Sequence, residues 1–476
     1  MTIVRMYKVL LSFLNSEKRK GRFLRTLTSS YVHLASSTFF TLALVPIILR
    51  YKGASFLGVW TLSTQMAGFG VLVDAGITAS CIRSFITLFA NDRPGELAKQ
   101  FRCAFLVSVF QGALICSLVF SGPSVAHLLH VPEEFNNLFC SLFSAQCLVL
   151  GLGFPIRPFS ALLISKQQFG VAYLSGSFAS ILSLALAFIS FFLHYELLGL
   201  ISGLVLIRLI EIASIFFSCR RHNLIPPGWT KSTVIYADFQ SLLYGSLFFF
   251  VSPFCSSVSG LCQATFLTRV FGLESFAIWS VGSKIANLLV LLFSKVFESA
   301  FSGMAEIKES SNLKDMARVY LRLFFISMSF VFIIAFFLLW SNGPFIRIWT
   351  SGKLVWPPAG TVFISIWLII SVFSKSLFNY VSLVPFRKLQ IFGPFAELLF
   401  FCIALALFAL YPVLPFYPLV LSIPLFITSF YFYLPQLKGN VMPICKSNLA
   451  LLRVLFACAC LYLFGIVVFI VVHYPQ

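Results

Sequence analysis

LALVPIILRYKGASFLGVWTLSTQMAGFGVLVDAGITASCIR, residues 42–83, decides the fold. It holds two apolar runs parted by the charged turn Arg50-Tyr51-Lys52-Gly53. Each run belongs to a segment of the ~20 residues that an α-helix needs to cross hydrocarbon. The same texture continues along all 476 residues, of which 59% are hydrophobic, 10% are charged and 58 are phenylalanine, with a mean hydropathy of +0.96. Soluble domains are about 25% charged, so the chain reads as a membrane protein. The alternating ~10-residue pattern of an outer-membrane barrel is absent from the sequence, which makes the expected fold all-α and polytopic.

Thirteen spans are expected, within residues 27–49, 56–88, 101–122, 138–160, 168–193, 196–217, 239–267, 275–302, 319–340, 360–384, 389–411, 414–434 and 450–472. Cytoplasmic loops of membrane proteins are enriched in lysine and arginine, and the loops here sort accordingly. With the N-terminus inside, one set of loops and flanks holds 23 of the 34 basic residues and the other holds 5: Arg50, Lys52, Arg269, Arg347 and Lys353. The formal charge of +19 is therefore a matter of membrane sidedness rather than of nucleic-acid binding. The opening residues, MTIVRMYKVLLSFLNSEKRKGRF, are expected to form a basic cytoplasmic arm against anionic lipid, not a signal peptide.

An internal repeat sets the domain plan. RYKGASFLGVWTLST from Arg50 and RVFGLESFAIWSVGS from Arg269 align at an offset of 219 residues, pairing Arg50 with Arg269, Gly53 with Gly272 and Trp60 with Trp279. Each is an outer loop leading into a descending helix, the second and the eighth, so the halves share one orientation, as in parallel transporter repeats. The expected division is an arm at 1–26, an N-lobe of six helices at 27–217, a cytoplasmic linker at 218–238, a C-lobe of six helices at 239–434, and a basic loop with an extra helix at 435–476.

Ionisable residues inside spans are costly and mark functional sites unless they pair or snorkel. The set is Asp74, Arg83, Arg157, Arg208, Glu211, Lys284, Lys295, Glu298, Lys375 and Glu397. In the eighth helix Lys284 and Lys295 return to nearly the same face, with Asn287 and Glu298 close to it. That polar stripe is expected to line a cavity, although Lys295 and Glu298 could also neutralise each other at i, i+3. The Arg208 and Glu211 spacing favours a simple pair. Arg157, in FPIRP, and Arg83 both suit snorkelling at the inner interface. Cations outnumber carboxylates in this set, which suits an anionic substrate.

Twelve cysteines are scattered without CxxC or metal spacing and read as small packing residues. The histidines lack zinc-site spacing, no P-loop or GxSxG occurs, and the outer loops are too short for a membrane polymerase. No catalytic residues, metal or cofactor are expected.

The opening stretch resembles the first two helices of the O-antigen and polysaccharide flippases of the multidrug/oligosaccharidyl-lipid/polysaccharide superfamily. The matching residues are Pro46, Gly53, Gly58, Trp60, the Asp-x-Gly of Asp74 and Gly76, and Arg83, and residues 266–307 are similar to the family's corresponding repeat helix. The resemblance implies a V-shaped bundle of twelve or thirteen helices in two parallel six-helix lobes. It implies a flippase that carries an undecaprenyl-diphosphate-linked oligosaccharide from the cytoplasmic to the periplasmic leaflet of a bacterial inner membrane by alternating access. Expected partners are the lipid-linked glycan, the bilayer, H+ or Na+ as coupling ion, and a polysaccharide polymerase. On this reading Lys284, Lys295, Lys375, Arg157 and Arg208 meet the diphosphate or acidic sugars, and Asp74, Glu298, Glu397 and Asn287 serve coupling or line the cavity. The alternatives are a cation-coupled multidrug exporter of the same superfamily and a non-transport envelope assembly protein.

Overall fold

The computed structural model describes residues 17–435, apart from 167, 234–235, 311–312 and 384–386, together with residues 449–473. The first residues of the basic arm and the basic loop at 436–448 lie outside the described residues. Everything regular that is described is helix, and twelve helical segments are long and apolar enough to cross a membrane. The chain is a multi-pass α-helical membrane protein. It divides into two compact units, Met1–Phe254 and Cys255–Gln476.

The N-unit opens with α1 (Glu17–Tyr51) and α2 (Gly53–Gly68), and a 3-10 turn (Phe69–Asp74) then leads to α3 (Ile77–Ala90). The segment 56–88, expected as one helix, is thus broken. Ala75 and Gly76 both take left-handed backbone, with φ of 48° and 74°, a conformation no α-helix can run through. Next come α4 (Pro94–Ser117), the short α5 (Gly122–Leu128) and α6 (Glu133–Leu152). The fourth span is broken as well: a 3-10 turn (Phe154–Ile156) separates α6 from α7 (Arg157–Ser165). Pro155 explains this break, since it lacks an N–H and its ring clashes with the preceding turn. The unit continues with α8 (Gly170–Phe192) and α9 (Glu196–Arg221).

Contacts within this unit agree with the loop sidedness read from charge. Lys52 and Glu196, from two loops assigned to one side, meet at 3.1 Å. On the other side Lys166 sits 4.1 Å over the Phe89 ring, and Arg102 donates to the Ser232 carbonyl. The described start of the expected linker packs on the helices of this unit. α9 runs on to Arg221, Leu224 is buried, and Trp229 packs edge-on against Phe101 and Phe105 at 5.1 and 5.2 Å.

The boundary between units falls inside α10 (Tyr236–Gly282), which itself turns at Gly272. The C-unit holds the rest of α10, then α11 (Lys284–Ser310), α12 (Leu313–Trp349), α13 (Pro358–Leu383), α14 (Arg387–Phe408), α15 (Tyr417–Thr428) and α16 (Leu449–His473). α11 carries Lys284, Lys295 and Glu298 and is not among the twelve apolar segments. α16 is the thirteenth expected span, and it packs on α12 and α13. Tyr462 and Ser365 hydroxyls lie 2.6 Å apart, and Phe469 rests on Trp340 at 5.5 Å. Lipid tails give helices no hydrophobic reason to associate, so close packing and such hydrogen bonds must hold them.

The repeat has a backbone counterpart. Gly53 and Gly272, paired at the 219-residue offset, both take left-handed φ, 85° and 81°. Beyond that shared turn the units differ: Trp279 is buried between Trp356 (6.1 Å) and Tyr417 (4.9 Å), whereas Trp60 is only half-buried.

Candidate transport sites

In the N-unit the two helix breaks are joined by an ion pair. Asp74, the last residue of its 3-10 turn, lies 2.6 Å from Arg157, the first residue of α7. Thr78 Oγ1 donates to Asp74 Oδ1 at 2.5 Å, and the Thr78 N–H reaches Oδ2 at 3.4 Å, so the carboxylate also caps the start of α3. A carboxylate is favoured there by the partial positive charge at a helix N-terminus; an arginine at the start of α7 is disfavoured for the same reason. Asp74 offsets that cost. The Arg157 guanidinium also lies 3.7 Å over the Phe154 ring, and Gln111 donates to the Val73 carbonyl.

A second pair sits alongside. Arg208 and Glu211 on α9 meet at 2.7 Å, as their spacing suggests. Arg208 lies so close to Gly153, at the α6 end, that a Cβ there would come within 2.7 Å of its guanidinium carbon. His33 on α1 packs on Tyr173 at 5.8 Å and within electrostatic reach of Glu211. Gly153 and Phe154 are adjacent in the chain, so both arginines are organised by one break. Snorkelling therefore does not describe Arg157: its partner is Asp74. Arg83 lies on α3, exposed, nine residues beyond Asp74.

The C-unit presents a cavity of about 400 Å3. Five helices each contribute one face, as the i, i+3, i+4 geometry of a helix requires. Trp367, Ser371 and Lys375 come from α13 at successive i+4 steps, and Glu397 with Phe401 comes from α14. α10 supplies Ser256, Ser259 and Gln263, and α11 supplies Asn287, Val290 and Leu291, while the α15 face is apolar. Glu397 is half-buried and within electrostatic reach of Lys375. Ser371 is 2% exposed, and its hydroxyl has no hydrogen-bond partner among the described residues.

Of the residues singled out from sequence, Asn287, Lys375 and Glu397 line this cavity together. Lys284 and Lys295 share the Asn287 face of α11 but are not among its lining residues. The Glu298 side chain lies outside the described ones. Sequence reading passed over Thr78, Gln111, Gln263, Trp367 and Ser371, which carry no charge to draw notice. The i+4 spacing of Trp367, Ser371 and Lys375 was the available signal.

The fold is that of transporters of the multidrug/oligosaccharidyl-lipid/polysaccharide superfamily. An inward-facing multidrug resistance MATE family transporter of that superfamily superposes with a TM-score of 0.68 at 12% identity, covering 88% of this chain and 99% of its own. The lipid II flippase MurJ, in an inward closed conformation, gives 0.66 at 15% identity, with 95% of this chain and 98% of its own covered. No protein-family model matches the chain. In sequence it is similar to a Shigella flexneri protein named "Putative O-antigen transporter", 23% identical over 358 residues, which are 74% of this chain and 82% of that one.

Proposed function

We propose that the protein is a flippase for an undecaprenyl-diphosphate-linked oligosaccharide, acting in a bacterial inner membrane with its N-terminus in the cytoplasm. The observation that carries this reading is the 358-residue similarity to the Shigella flexneri protein named "Putative O-antigen transporter", which spans most of both chains. Sugar hydroxyls and a diphosphate need a polar route through hydrocarbon, whereas the prenyl tail gains nothing by leaving lipid. Alternating access moves the head group while the tail stays in the bilayer, and a polysaccharide polymerase uses the delivered unit. Lys284 and Lys295, on one face of α11, are the proposed diphosphate contacts. Asp74 and Glu397 are the proposed coupling carboxylates for H+ or Na+.

Deleting the gene should leave lipid-linked glycan on the cytoplasmic side and remove it from the cell surface. Lys284→Ala and Lys295→Ala should each reproduce that loss with the protein still present in the membrane. Normal surface glycan in both variants would remove the lysines from the mechanism, and normal surface glycan in the deletion would remove the function. The multidrug-exporter reading has the MATE-like fold in its favour. It requires the deletion to sensitise cells to cationic drugs, whereas the excess of intramembrane cations favours an anionic cargo.

A further inference from the structure

The C-unit cavity has a different chemical character from a phosphate site. A diphosphate offers only acceptor oxygens around its negative charge, and the sites that take it are dense in donors. Here the lining alternates. Lys375 only donates and Glu397 only accepts, while Asn287, Gln263 and Ser371 each do both. Among the described lining residues the one cation and the one carboxylate lie within electrostatic reach of each other, so these residues carry no excess positive charge. An anion would have to share the space with Glu397, and a cation would have to share it with Lys375.

A guest that both donates and accepts, and that carries no charge, meets neither penalty. Carbohydrate hydroxyls have that property. The remaining lining supports the same chemistry: Trp367 and Phe401 offer aromatic surface to the C–H side of a sugar ring. The volume, about 400 Å3, lies in the range of about 300–1,000 Å3 usual for small-molecule sites. The buried Ser371 hydroxyl, without a partner among the described residues, is independent support, because buried polar groups are nearly always satisfied.

We propose that this cavity is a subsite for an uncharged sugar residue, read by hydroxyl, amide and paired charged groups rather than by an excess of positive charge. The proposal rests on the reading of the protein as a transporter of lipid-linked glycan, and it names where one sugar of that glycan would be recognised. Lys375 then serves sugar recognition beside Glu397, not the diphosphate.

The test is saturation-transfer NMR on the full-length protein in detergent micelles. Free galactose, N-acetylglucosamine and rhamnose serve as probes, with inorganic pyrophosphate as competitor. At least one sugar should bind saturably, and pyrophosphate should leave that binding unchanged. Glu397→Gln and Asn287→Ala should each weaken it about tenfold, the loss expected for a hydrogen bond involving a charged group or a well-placed amide. Asn287 is exposed, so its replacement keeps the fold and decides the matter even if Glu397→Gln unfolds. Absence of binding by all the sugars, equal binding in the Asn287→Ala protein, or displacement by pyrophosphate would each overturn the proposal. If sugars fail to bind while the gene deletion still blocks glycan export, the subsite fails and the flippase reading stands. If a sugar binds as described and the deletion leaves export intact, the reverse holds.

Discussion

The two units answer the same problem, charge inside a membrane, in opposite ways. The N-unit interrupts two helices and ties the interruptions together, Asp74 to Arg157, with Arg208 and Glu211 paired next to them. The C-unit gathers Lys375, Glu397, Asn287 and Ser371 around open space. In the first arrangement the charged groups meet one another across the breaks. In the second they border space that the proposed sugar would fill. Polarity within a span therefore does not by itself indicate a binding site.

The comparison can be broken most forcefully at the N-unit pair. Arg157→Ala leaves Asp74 in a poorly solvated place, and removing one partner of such a pair costs about 3 kcal/mol. Unfolding of the purified protein in mixed micelles should register that loss, and the double variant Asp74→Ala with Arg157→Ala should recover much of it. A double variant no more stable than Arg157→Ala alone would mean that the pair is not what joins the breaks. Next in size is Gly153→Ala, whose new methyl would drive into the Arg208 guanidinium. It should cost about 1–3 kcal/mol in the same assay, and shortening the obstructing side chain with Arg208→Ala should reduce the penalty. Smallest, and the sharpest test of the repeat, are Gly53→Ala and Gly272→Ala. Both positions hold positive φ with nothing within 4 Å of a new Cβ, so each should cost about 1–2 kcal/mol through backbone strain alone. Gly272, whose ψ of 174° completes a combination that is essentially glycine's, should lose the more; a Gly53→Ala penalty as large or larger would show that the two turns, though alike in φ, are held differently by their units.

Much of the fold could be read from the chain because a helix in hydrocarbon needs a long apolar run, and such runs are local in sequence. Most of the spans, and the thirteenth helix, followed from that requirement, although α11, in the expected eighth span, is not among the twelve apolar segments. The breaks did not. The motifs were visible, Asp74-Ala75-Gly76 in one span and the prolines of FPIRP in another, yet each sits in an apolar window that reads as continuous helix. The pairing of Arg157 with Asp74 could not be read from the chain, because the two lie 83 residues apart in different spans. The polar stripe on α11 was also legible, since helical period alone sets which residues share a face. Which part of that face meets the cavity was not: Asn287 lines it, while Lys284 and Lys295 do not.

The sequence by itself determined that this is a polytopic α-helical membrane protein, where most of its spans lie, and that two Arg-Gly-Trp segments repeat at a fixed offset. Hydropathy, charge bias and periodicity are sums over neighbouring residues, and they survive without knowledge of packing. Only the tertiary structure decided which intramembrane charges neutralise each other and which surround a cavity. That outcome depends on distances of a few ångströms between helices far apart in the chain, where the strength of an ion pair or hydrogen bond is set.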